Sequence, residues 1–166
     1  MLGLYERFPA TLHGDFAFVS SVSPKKLERM LIEVFSKLNR QDMALDEVAC
    51  PTIPQCRVIF EFGIAEGNDF SYLDQDEEQK ILAAITKAPL EVIDFLCVIR
   101  YHKEQDGKKR ALRFDYYLLR FRVNQKQGEI QVFHKKGTRY VTPEDLVALL
   151  VKKVNEEYGR RILNAP

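Results

Sequence analysis

The stretch from Arg100 to Arg139 carries 12 Lys/Arg against four acids, Glu104, Asp106, Asp115 and Glu129, a local net charge of +8. Arg100, His102, Lys108, Lys109, Arg110, Arg113, His134, Lys135, Lys136 and Arg139 are the candidate polyanion-binding residues, with Tyr101, Phe114, Phe133 and Tyr140 interleaved among them. Clustered cations bind phosphate backbones, and exposed aromatic rings stack on bases, so this pattern suits a nucleic acid or another polyanion.

A second charged stretch has the opposite sign. Glu61, Glu66, Asp69, Asp74, Asp76, Glu77 and Glu78 occur with no Lys or Arg between Glu61 and Gln79. The asymmetry extends over the chain, because residues 1–99 sum to −7 and residues 100–166 to +8, within a total of +1. An acidic patch and a basic one on the same molecule let two copies attract each other, so a homo-oligomer is an expected partner alongside a nucleic acid.

Other reactive side chains lack a partner at a useful spacing. His13 lies in FPATLHG without a serine or cysteine in a nucleophile context, and a structural or surface role is expected. His102 and His134 are expected to approach each other at one end of a sheet, but no third ligand accompanies them, and no metal site is expected. Cys50, Cys56 and Cys97 are odd in number and show neither CxxC nor zinc-finger spacing; they read as apolar fillers in a reducing compartment. No glycine pattern cradles phosphate, and no cofactor is expected.

The elements that position these residues are legible in the hydrophobic pattern. Three strand-like runs, VIDFLCVIRYH, RALRFDYYLLRFRV and EIQVFHKK, form an antiparallel meander, with a strong turn at Asp106-Gly107 and a weaker one at Gln127-Gly128. In the middle run Leu112, Phe114, Tyr116 and Leu118 are even-numbered, whereas Tyr117, Leu119, Phe121 and Val123 are odd. This change of phase predicts a bulge near Tyr117 to Leu119. Upstream, Phe16, Phe18 and Val22 alternate as a strand. Ser23-Pro24 then opens a helix whose stripe is Leu27, Met30, Leu31, Val34 and Leu38. A connection from Asp42 to Pro54, punctuated by Pro51, leads to Cys56, Val58, Phe60, Phe62 and Ile64 on one strand face. Gly63 to Leu73 reads as a loop, Asp74 caps a helix ended by Pro89, and Thr142-Pro143 opens the last helix, which Gly159 closes. At 166 residues the chain suits one domain burying roughly 70% of its unfolded surface. The expected fold is a single α+β domain over residues 1–166, in the order β-α-β-α-β-β-β-α, with helices packed on a mostly antiparallel sheet.

From Asp74 onward, the order α-β-β-β-α is similar to the core of the PD-(D/E)xK nucleases, in which a middle-strand Asp and a third-strand acid bind metal. That resemblance implies Asp115 and Glu129 as a catalytic pair for metal-dependent hydrolysis. Gln131 stands where the motif carries lysine, and Phe114 where it carries proline. Glu6 and Arg7 interrupt the apolar start MLGLYERF, and no run is long enough to span a membrane. A cytoplasmic protein with no membrane partner is therefore expected. The functional expectation is an interaction module that self-associates rather than an enzyme. The alternatives are nucleic-acid or polyanion binding through residues 100–139, and a diverged nuclease of the type just named.

Overall fold

Three local signals become helix starts. Ser23 accepts a hydrogen bond from the Lys26 N–H (3.3 Å), Asp74 from the Glu77 N–H (2.9 Å) and Thr142 from the Asp145 N–H (3.2 Å). Each satisfies an N–H that the first helical turn leaves unpaired, a contribution of about 1 kcal/mol. The resulting helices are α1 (Pro24–Leu38), α2 (Gln75–Lys87) and α3 (Pro143–Glu157). The structure, a computed structural model, describes residues 1–49 and 55–165. Cys50, Pro51 and Pro54 lie outside the described residues.

The strands are β1 (Gly14–Ser20), β2 (Asp42–Ala44), β3 (Arg57–Glu66), β4 (Asp69–Tyr72), β5 (Val92–Gln105), β6 (Lys108–Asn124), β7 (Gln127–Gly137) and β8 (Leu163–Asn164). They form one antiparallel sheet in the order β2-β3-β5-β6-β7-β1-β8, and β4 pairs with the later part of β3. The α+β class and the meander are as expected. Three short strands were not: the segment expected as a loop after Gly63 is a β3–β4 hairpin, and β2 and β8 add short pairings. Residues of β4 are largely exposed, so they lack the alternation that marks a half-buried strand.

One face of the sheet is the core. Val58, Phe60, Phe62 and Ile64 of β3 and Ile93, Phe95, Cys97, Ile99 and Tyr101 of β5 are all buried there. Phe35 of α1 sits at its centre, 4.8 Å from the Phe62 and Phe95 ring centroids and 5.6 Å from that of Phe121. Helix α2 packs along α1 and contributes Ile81 and Ile85 to the same core.

Strand β6 departs from its expected phase. Asp115, Tyr117, Leu119, Phe121 and Val123 keep one face buried without a slip, while Phe114 and Tyr116 belong to the opposite, outer face. The register does shift, between Tyr116 and Tyr117, but the unpaired residue is Lys135 on β7: Tyr116 faces Lys136 and Tyr117 faces His134. A second shift leaves Leu112 unpaired between Arg113 and Ala111. The even-numbered aromatics had suggested a slip because two apolar faces in one strand look like a change of phase. The first meander turn is at Asp106-Gly107, with φ of +52° and +75°, as a two-residue hairpin requires. The second is at Gln125-Lys126, whereas Gly128 lies inside β7 beneath the Phe18 ring.

The outer face is crossed by the N-terminal segment. Gly3 donates its N–H to Ala65 C=O (2.7 Å) and accepts from the Asp94 N–H (2.6 Å), and Glu6 donates to Gly67 C=O (3.0 Å). Beneath it, the buried Asp94 carboxylate accepts from Arg120 Nε and Nη2 and from the Tyr5 N–H, all at 2.7 Å. The Phe8 ring lies 4.3 Å from the Arg120 guanidinium carbon. This cover reaches the Asp94 and Arg120 end of the face, while Ile59, Val98 and Tyr116 are half-buried and Phe114 is exposed. Among the described residues, no helix is long and apolar enough to cross a membrane.

Candidate functional site

The basic residues gather where the sheet runs out. Strand β3 pairs with β5 only as far as His102, and β7 pairs with β6 only from Asp115 onward. Beyond those limits β5 and β6 continue as a two-stranded ribbon, on the order of 15 Å long at the usual rise per residue. Lys108, Lys109, Arg110 and Ala111 are all exposed on it, and Arg113 and Phe114 at its base are exposed too. The end of β7 brings Lys135, Lys136 and Arg139 alongside that base, all exposed.

A buried carboxylate organises the junction. Asp115 is fully enclosed, and it accepts from Tyr101 Oη (2.6 Å), the Arg139 N–H (2.7 Å) and Thr138 Oγ1 (3.3 Å). His134 Nε2 lies 2.8 Å from its other side. Burial first, and then the adjacent carboxylate, push the Tyr101 hydroxyl far above its ordinary range, so it remains a donor to Asp115. The same oxygen accepts from the Val141 N–H (3.0 Å), and Tyr117 Oη donates to Val141 C=O (2.6 Å). Gly137 closes over the carboxylate with φ of +123°; a Cβ there would meet Asp115 Oδ1 and Phe114 O at 2.3 Å. Only glycine permits that approach.

The Lys135 bulge sorts neighbouring side chains to opposite faces. Because one residue is unpaired, His134 points inward at Asp115, while Lys136, two residues on, emerges on the outer face with its Nζ 4.6 Å from the Tyr116 ring centroid. His13, exposed beside this junction, braces it from the strand edge: its Nδ1 accepts the His134 N–H (2.8 Å), and its ring stacks 4.9 Å from Phe133. Desolvation and then the positive charge of Arg139 lower the His13 pKa, which favours the neutral ring that accepting requires.

The sequence-derived set therefore divides. His102 and His134 are not surface cations. His102 is buried, with Nε2 3.3 Å from Asp42 Oδ2 but without a hydrogen bond, and the two imidazoles serve different carboxylates rather than approaching each other. Asp42 also holds Arg57 (2.7 Å) and Lys109 (3.3 Å). Partial burial pushes its carboxyl up, but the contacts from Arg57 and Lys109 more than offset this and hold it below its ordinary range. Arg100 is bound to Glu61 (3.0 Å). Lys108, Arg113, Lys135, Lys136 and Arg139 make no side-chain ion pair among the described residues.

Asp115 and Glu129 do not share a site. Asp115 faces the core opposite Gly137, whereas Glu129 lies opposite Arg122 on the outer face. The seven residues from Asp115 to Arg122 span roughly 23 Å along the strand, and their opposite parity places the two carboxylates on different faces. Glu129 is instead held near Arg122 (3.6 Å), and burial followed by the neighbouring Asp15 raises its pKa. No group of three metal-ligating side chains occurs among the described residues. Helix α2 and the β3–β4 hairpin carry the acidic stretch, where Glu66 pairs with Lys80 (2.9 Å) and Asp74 is occupied as a cap. No family model, curated protein or solved structure matches the chain.

Proposed function

We propose that this protein binds a nucleic acid through the basic end of its sheet, at the β5–β6 ribbon and the end of β7. The observation that carries this reading is the distribution of ion pairs: Asp42, Glu61 and Asp115 are engaged by other groups, and although Glu104 and Asp106 stand exposed on the ribbon, Lys108, Arg113, Lys135, Lys136 and Arg139 make no side-chain ion pair among the described residues. A projecting pair of strands with cations on both faces suits a phosphate backbone. Self-association through the acidic stretch draws on fewer available charges, because Glu61, Glu66 and Asp74 are each held within the molecule.

Titration of a labelled oligonucleotide at several salt concentrations tests the reading. Five phosphate contacts predict that log affinity falls against log salt with a slope of about −3.5 to −4.5. Replacing Lys108, Arg113 and Lys135 together by Ala lowers that slope by about two to three units and weakens all sequences alike. Wild-type protein without salt-dependent binding refutes the proposal. An oligomer that this variant dissociates points to self-association instead.

A further inference from the structure

We infer that the nucleic acid is single-stranded and that two of its unpaired bases stack on Phe114 and Tyr116 at the uncovered end of the outer sheet face. The inference rests on the polyanion reading above and names the ligand within it. Phe114 and Tyr116 alternate with Asp115 along β6, so the buried carboxylate network on one face fixes the backbone that presents two rings on the other. Phe114 is 40% exposed, which is unusual for a phenylalanine in the middle of a strand. The two rings lie side by side, with centroids 6.3 Å apart and planes inclined by 27°. That spacing suits successive bases of an extended strand.

The surroundings separate this patch from ordinary exposed apolar surface. The N-terminal cover ends before it: Phe8 and Tyr5 protect Arg120 and Asp94, and among the described residues Phe114 stays 40% exposed. A cation lies over one face of each ring. The Arg100 guanidinium carbon lies 5.9 Å from the Phe114 centroid, and Lys136 Nζ lies 4.6 Å from that of Tyr116. Arg100 is already tied to Glu61, so Lys136, together with the unpaired cations at the ribbon base, meets the phosphates. An apolar partner would leave these charges desolvated, and a duplex would cover its base faces; a single strand offers phosphates and bare bases together.

The chain contains no tryptophan, so Phe114→Trp introduces a sole indole reporter at the platform. Its emission should be quenched by labelled-free oligouridylate or oligothymidylate and unchanged by heparin, which carries anionic groups but no bases. In parallel, Phe114→Ala and Tyr116→Ala should each weaken binding of the two oligonucleotides by roughly 5- to 150-fold. Heparin affinity and the salt slope should stay at wild-type values, and a duplex of equal length should bind more weakly than either single strand. Comparing the ribose and deoxyribose strands distinguishes RNA from DNA. If the duplex binds as tightly as the single strands and neither alanine variant discriminates, the base-stacking inference is overturned while polyanion binding stands. If the alanine variants lose heparin as well, the rings serve the fold and the inference is again overturned. If no polyanion binds the wild type, both proposals fall.

Discussion

Asp94 and Asp115 are both fully buried, yet they are satisfied in opposite ways. Asp94 faces a guanidinium in two-pronged geometry and one backbone N–H, so its charge is cancelled by a permanent cation beneath the N-terminal segment. Asp115 receives a phenol, a hydroxyl, a backbone N–H and an imidazole, drawn from β5, β7 and the connection to α3. The first arrangement fastens a cover. The second anchors the base of a cationic ribbon without consuming any of the arginine or lysine side chains around it, which leaves those charges outside.

The contrast can be broken most severely at Asp94. Arg120→Ala leaves a buried carboxylate without its cation and should cost about 3–5 kcal/mol, measured as a lower denaturant midpoint. The double change Asp94→Leu with Arg120→Met should recover most of that loss, because the cost lies in the unpaired charge. A single variant as stable as wild type would show that the N-terminal segment is not fastened there.

At Asp115 the effect of one donor should be smaller, since three others remain. Tyr101→Phe removes a bond to a charged acceptor and leaves the Val141 N–H without its partner, for a loss of about 1.5–3 kcal/mol. Equal losses at Tyr101 and Arg120 would erase the distinction between the two sites.

Glu28 supplies a third buried carboxyl that sharpens the comparison at the low end. One oxygen accepts the Leu90 N–H (2.7 Å) and the other has no hydrogen-bond partner. Burial pushes its carboxyl up, with only partial relief from the backbone N–H groups of Leu90 and Glu91. The folded state therefore holds its proton more tightly than the unfolded state, and the group costs stability as pH rises above its unfolded pKa. Chemical denaturation should show Glu28→Gln gaining on wild type as pH rises above the ordinary glutamate pKa of about 4. A difference independent of pH would contradict this.

Helix starts and the core strands were legible because Ser23, Asp74 and Thr142 act within one turn, and because Val58, Phe60, Phe62 and Ile64 repeat with the strand period. The basic composition of the 100–139 segment was equally visible. Its division was not. Whether His134 is a surface cation or a buried partner depends on one unpaired residue, Lys135, which the apolar pattern does not mark. Asp115 is joined to Tyr101 across the strands and to Thr138 in the connection after β7, and His13 reaches His134 from 121 residues away. The Asp94–Arg120 pair was missed for the same reason: an acid and a base in apolar strands look like two solvated positions until the register places them side by side.

From Lys108 to Phe114, β6 has no neighbouring strand on its β7 side among the described residues, so the ribbon presents an open row of backbone donors and acceptors. Such a row is a template on which another extended chain adds itself, the first step toward aggregation. Lys108, Lys109, Arg110 and Arg113 occupy four of those seven positions, and two ribbons brought edge to edge would set like charges against each other. These positive charges thus keep one copy of the sheet from being extended by the next.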